Sequence, residues 1–359
     1  MFQRQWFSSN SQIGLTQSAL DLRELSKNRD FDNAEKILIC KSELPIAYRK
    51  RQMKKLIHMR KRLILECNKG PLPLRVFFSD FWPRMDPANN QLIDLIRYAI
   101  PERQVVYEPN PLLADVSLFT CYGSLRGLEQ TTHTLRILFL GENVRPSYTE
   151  FDISITSDMS SYCGLNTYLP LWQLEIDWFG SSYPDRSTIS LGNLLLHRTV
   201  DISTRKHGAI YVGNNHEPFR LSIIHELRML GITCDKYGSH SRPVEDKNSL
   251  CSNYLYAFCP ENSYFPGYVT EKLVQAYMSG CIPIYWGCLN GQPFADHPLI
   301  VMVYPGMSPS LVARKLRTAT NYLIEHGYPC LAEESRIIEG FNSTVRFLRD
   351  ELSSFCLDL

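Results

Sequence analysis

The sequence predicts an α/β protein: two regions of strand–helix alternation in tandem, behind a helical N-terminal extension. Short apolar runs alternate with helical periods from residue 73 onward, and the alternation restarts at Ala209. The stretch from Leu255 to Gly287 reads as strand, loop, helix and strand. So short a connection implies two parallel strands joined by a right-handed crossover. With 359 residues the chain has room for two ordinary α/β domains and an extension.

Composition narrows the function classes. A net charge of +1 removes any bulk electrostatic case for nucleic acid. The 11 cysteines are odd in number and lack CxxC or Cys/His spacing, which points to reduced thiols rather than a disulfide framework or a zinc site. No run approaches the roughly 18 apolar residues of a membrane span, and the start carries no signal-peptide pattern. A cytoplasmic setting is therefore expected.

Taken in order, Ser18–Leu25 and Phe31–Cys40 have helical apolar spacing. Residues 49–64 form a third helix carrying eight Lys or Arg, with Met53, Leu56, Ile57, Leu63 and Ile64 expected along one face. Such a helix suits either packing on the neighbouring domain or contact with an anionic membrane surface. Gly70–Pro73 punctuates the join. Strands are expected at 74–78, 104–107, 116–120, 135–140 and 151–156, with a helix over 89–100. Glu142 follows the 135–140 strand directly after Gly141. A carboxylate at a strand's carboxyl end is placed to face a ligand, as a general base or as a cap for the Asn143–Pro146 turn. Residues 168–172 are read as the end of the first domain.

The second region opens with Ala209–Val212, followed by Asn214, Asn215 and Arg220 and a helix over 221–230. Arg220 is either a diphosphate ligand, its guanidinium fork matching phosphate oxygens, or an ordinary surface ion-pair residue. Leu255–Cys259 is a buried strand; Glu261 and Asn262 lie just past its carboxyl end, where ligands sit in open α/β sheets. Tyr268, Thr270, Glu271 and Lys272 crowd the start of the next helix, whose positive dipole end suits phosphate. A capped surface helix with solvated Glu and Lys is the plainer alternative. Gly280 ends that helix, Ile282–Tyr285 is a second strand, and helices fill most of 308–326 and 334–355. These readings divide the chain into a basic helical extension (1–72), an N-terminal domain (73–180), a C-terminal domain (200–330) and C-terminal helices (331–359).

Glu-Asn-Ser at 261–263, Tyr-Val-Thr-Glu-Lys at 268–272 and Ile-Pro-Ile-Tyr-Trp-Gly at 282–287 together resemble the signature of the α1,3/4-fucosyltransferases, glycosyltransferase family 10. Phe-Leu-Gly-Glu-Asn-x-x-Pro with Phe-Asp at 139–152 resembles that family as well. The resemblance implies the GT-B fold, two Rossmann-like domains facing across a cleft, the second holding GDP-fucose. It implies Glu142 as general base on the acceptor side, and Arg220, Asn215, Asn262, Tyr268, Glu271, Lys272 and Glu261 around the donor. Two departures stand out: Asn214-Asn215 replaces Ser-Asn, and Pro260 precedes Glu-Asn where relatives carry an aromatic residue.

The implied activity is inverting transfer of L-fucose from GDP-fucose to a GlcNAc or Glc hydroxyl of an oligosaccharide or glycolipid, in α1,3 or α1,4 linkage. The one Asp-x-Asp, Asp30–Asp32, sits at a helix start where capping is the expected role. No metal is therefore required, although Mn or Mg can assist through the diphosphate. Lacking an N-terminal anchor, the chain resembles the soluble bacterial members: cytoplasmic, with the 49–64 helix available to the inner face of the membrane. Transfer of another GDP-sugar, or a non-catalytic GT-B protein acting through its N-terminal helices, are the rival readings.

Overall fold

The computed structural model describes residues 16–41, 43–148, 150–213, 218–238 and 246–356. Three helices come first: α1 (Gln17–Lys27), α2 (Phe31–Cys40) and α3 (Ile46–Lys69). Then follow β1 (Leu74–Ser79), α4 (Gln91–Ala99), β2 (Val105–Tyr107), β3 (Val116–Phe119), α5 (Gly127–Gln130), β4 (Leu135–Leu140), β5 (Ile153–Thr156) and β6 (Asn166–Tyr168). The later elements are α6 (Leu191–Leu195), β7 (Lys206–Val212), α7 (Pro218–Met229), β8 (Cys234–Tyr237), α8 (Lys247–Cys251) and β9 (Tyr254–Pro260). The chain closes with α9 (Glu271–Met278), β10 (Ile282–Trp286), β11 (Val301–Met302), α10 (Pro309–His326) and α11 (Glu334–Leu352).

Two units result. The first contains the chain up to Leu169, Phe179–Ser187 and Glu339–Leu359; the second contains Pro170–Trp178 and Thr188–Ile338. This division interleaves what the sequence boundaries kept separate. Trp172 is fully buried in the second unit, edge-on to Phe294 at 5.1 Å, with its Nε1–H donating to Gln292 Oε1 at 2.9 Å. Most of α11, from Glu339 on, belongs to the first unit, where Phe341 packs on Tyr98 and Phe179, each at 5.9 Å.

In the first unit a parallel sheet runs in the order β2-β1-β3-β4-β5-β6. β3, β4 and β5 are buried along their whole length, as parallel strands covered on both faces must be. β6 has no counterpart among the sequence expectations, because polar contacts hold it rather than an apolar period. Asn166 Oδ1 accepts from Ser154 Oγ at 2.7 Å and from Thr156 Oγ1 at 2.9 Å. The sheet of the second unit is ordered β11-β10-β9-β7-β8, again all parallel. In each unit the winding direction reverses once, beside β1 and β3 in the first and beside β7 and β9 in the second. Open α/β sheets bind ligands at the carboxyl ends of strands next to such a reversal.

The basic helix α3 corrects the expected division into an apolar and a cationic face. Ile57 and Ile64 are 46% and 60% exposed, whereas Arg51, Lys55 and Arg62 are buried. Their counter-ions lie in the sheet. Asp152, just before β5, takes Arg51 Nη1 at 3.0 Å, Lys55 Nζ at 2.9 Å and Gln52 Nε2 at 2.8 Å. Asp115, just before β3, takes Arg62 Nη1 at 2.6 Å and His58 Nε2 at 2.9 Å. Each aspartate also accepts a strand N–H, from Arg136 and Arg75 respectively, both at 2.9 Å. Asp30 caps α2 by accepting from Asn33 N at 3.3 Å, the role its helix-start position predicts. Among the described residues no helix is long and apolar enough to cross a membrane.

Burial alone would raise the Asp152 carboxyl, but Arg51, Lys55, the Arg136 N–H and Gln52 outweigh it and hold the group well below the ordinary range. The unfolded chain therefore takes up this proton first. The stability Asp152 contributes is present above the ordinary aspartate value of about 3.9 and is lost as pH falls below it toward the lower folded value. Asp152→Asn is expected to cost about 1.5–3 kcal/mol at pH 7. Urea unfolding should show the gap from wild type narrowing below about pH 4; a constant gap would contradict this account.

Candidate active site

At the end of β9 the chain turns out of the sheet and places Glu261 in the interior, 0% exposed. Its carboxylate organises the start of α9. Oε1 accepts from Thr270 N at 2.8 Å and Tyr285 OH at 3.1 Å; Oε2 accepts from Thr270 Oγ1 at 2.7 Å and lies 3.4 Å from Lys272 Nζ. Burial pushes this carboxyl up and Lys272 opposes the rise without cancelling it. Lys272 Nζ also donates to Thr270 Oγ1 at 2.8 Å, so the ammonium is tethered at the positive end of α9.

Arg220, in the first turn of α7, is 2% exposed and turns inward. One Nη donates to Tyr211 OH at 3.1 Å; the other donates to the Glu261 carbonyl at 2.7 Å and Asn262 Oδ1 at 3.0 Å. The guanidinium thus joins the ends of β7 and β9. Glu271 stands 3.6 Å from Lys272. Burial works against its charge, but Lys272 and Lys247 overcome that and lower its pKa.

The structure therefore links Arg220 and Asn262 to Glu261, and Glu261 through Thr270 and Lys272 to the α9 start beside Glu271, with Asn262 exposed and the Glu271 and Lys272 side chains partly so. Tyr268, three residues before α9, is buried, only 1% exposed. Asn215 lies outside the described residues. Tyr211 and Tyr285, read from sequence only as strand residues, bring their hydroxyls to this cluster. Each is followed two positions later by a glycine, Gly213 and Gly287, where a Cβ would sit 2.6 Å from the tyrosine oxygen. Tyr-x-Gly at a strand end is the signal: the glycine leaves room for the hydroxyl.

In the first unit Glu142 follows β4 and is half-buried; Tyr122 OH donates to its Oε1 at 3.3 Å. The turn behind it is closed by Val144 N–H donating to the Glu142 carbonyl at 2.8 Å. Arg145 reaches Asn143 Oδ1 at 2.5 Å and Asp158 at 3.3 Å, fixing the far side of the turn.

Two α/β units, each built on one parallel sheet with polar side chains at its strand carboxyl ends, are the plan of the GT-B class of α/β proteins. The chain belongs to glycosyltransferase family 10. Residues 76–175 match the α-(1,3)-fucosyltransferase FucT N-terminal domain and residues 202–297 the family 10 (fucosyltransferase) C-terminal domain, together just over half the chain. The α-(1,3)-fucosyltransferase FucT of Helicobacter pylori is 26% identical over 254 residues, 62% of this chain and 52% of that one. The chain thus spans about half the length of this curated relative. Crystal structures of an α1,3-fucosyltransferase with GDP-fucose and with GDP each give a TM-score of 0.53 at 20% identity, covering 77% of this chain and 91% of theirs. That likeness places the fold.

Proposed function

We propose that the protein is an inverting fucosyltransferase that moves L-fucose from GDP-fucose to a GlcNAc or Glc hydroxyl of a glycan, in α1,3 or α1,4 linkage. The observation that carries this reading is the pair Arg220 and Lys272, two cations held at the ends of β7 and β9 and the start of α9 by Glu261, Asn262 and Thr270. A leaving diphosphate gains negative charge as its bond to the sugar breaks. Fixed cations and a helix dipole aimed at that charge are the dominant kind of help for such a step. Glu271, reachable from solvent, suits a ribose hydroxyl, and the exposed Asn262 a ribose or phosphate contact, while the buried Glu261 holds Thr270, Tyr285 and Lys272 in place.

Transfer is a single displacement. The acceptor oxygen bonds to the anomeric carbon as the carbon–phosphate-oxygen bond breaks; the acceptor proton passes to Glu142 and GDP leaves as the anion. One base suffices and no covalent intermediate forms. Turnover without added metal belongs to the proposal, as do a cytoplasmic setting and contact of the outward Lys50, Lys54 and Lys61 of α3 with an anionic membrane surface.

The test is GDP release from GDP-fucose by the full chain in EDTA, with and without N-acetyllactosamine or lactose. Acceptor-stimulated release is the expected result. Release from GDP-mannose but not GDP-fucose would overturn the sugar assignment, and GDP binding without turnover of either would favour a non-catalytic protein.

A further inference from the structure

The winding reversal of the first unit falls beside β1 and β3, and what stands at their carboxyl ends has no part in the scheme above. Asp80 follows β1 in a left-handed conformation (φ 65°), and Leu125, in the loop after β3, is left-handed as well (φ 55°). Asp80 joins the two loops: Oδ1 accepts from Leu125 N at 3.0 Å and Oδ2 from Ser79 Oγ at 2.7 Å. Gly123 passes so close that a Cβ there would lie 1.8 Å from Asp80 Oδ1. Backbone strain of this kind persists where the surroundings over-determine it, and it collects at binding sites.

What the clamp presents is aromatic. Trp82 is fixed by its Nε1–H donating to Asp185 Oδ2 at 2.7 Å and by the Arg186 guanidinium 5.2 Å from its ring. Tyr122 stands edge-on to Trp82 at 6.1 Å and is 50% exposed, with its hydroxyl on Glu142. A pyranose has one face of C–H bonds that packs on an aromatic ring by dispersion, while its hydroxyls need a polar edge. Here that edge is a carboxylate, which repels a phosphate and accepts from a sugar hydroxyl.

We infer that this surface is the acceptor platform: the Tyr122 ring carries the apolar face of a neutral pyranose, and its hydroxyl holds Glu142 toward the attacking oxygen. The assignment rests on the transferase reading for the role of Glu142, but the sugar site itself is testable without turnover. Saturation-transfer NMR with N-acetyllactosamine and with lactose on the full chain should show pyranose protons receiving saturation. Tyr122→Ala should abolish that transfer and raise the acceptor KM about tenfold or more, about 1.4 kcal/mol, with GDP affinity and melting temperature unchanged. Tyr122→Phe should keep binding and KM but lower kcat several-fold, a split that general loss of structure would not give. Wild-type saccharide binding in Tyr122→Ala, or no binding of either saccharide by the wild type, overturns the platform. Saccharide binding by a wild type that releases no GDP from GDP-fucose would sink the transfer reading and leave the platform standing.

Discussion

Glu142→Gln is expected to lower turnover with GDP-fucose and acceptor by about 10²- to 10⁴-fold, the range a positioned general base supplies, while GDP affinity stays at the wild-type value. Glutamine keeps the shape of the side chain and an oxygen to accept from Tyr122 OH, which lies 3.3 Å from Oε1. It has no lone pair basic enough to take a hydroxyl proton. The groups proposed to hold the nucleotide, Arg220 and Lys272, belong to the second unit, so the loss should fall on kcat. Steady-state kinetics beside calorimetric GDP binding measures both, and wild-type turnover in this variant would remove Glu142 from the mechanism.

Glu261→Ala should cost about 3–5 kcal/mol, the range for breaking a buried ion pair by removing one partner. Thr270 N, Thr270 Oγ1 and Tyr285 OH would all lose the carboxylate they donate to, and Lys272 would lose its buried counter-ion. GDP affinity should fall about tenfold or more, because charge-assisted contacts depend on a fixed donor. Urea unfolding and GDP titration of the same variant report the two effects. Weak GDP binding with undiminished stability would instead mean that Glu261 meets the nucleotide directly.

How much of this was legible depends on whether the contacts are local. The Leu255–Gly287 unit is contiguous, so its strand, helix and strand, and the place of Glu271 and Lys272 at the helix start, follow from spacing alone. The direction of Glu261 does not. It lies one residue past a strand buried along its whole length, and only the arrival of Tyr285 from the next strand shows that the carboxylate points inward. Helix α3 fails the same way. Its existence is clear from periodicity, but a composition rule turns lysine and arginine outward, and the aspartates that draw Arg51, Lys55 and Arg62 inward lie 53 to 101 residues further along the chain. The acceptor platform was hidden because Trp82, Tyr122 and Glu142 follow three different strands and meet only through sheet order.

Asp115 and Asp152 receive the basic helix at the amino ends of β3 and β5, whereas Tyr122 and Glu142 stand past the carboxyl ends of β3 and β4. A strand of four residues separates such ends by about 13 Å, beyond the range over which substitutions usually interact. Anchorage and chemistry are thus two independent accounts drawn on one sheet. Changes at the aspartate end alter how long the protein lasts; changes at the far end alter what it recognises. In this chain a substitution at the carboxyl edge leaves Arg51, Lys55 and Arg62 on the aspartates at the other end of the sheet.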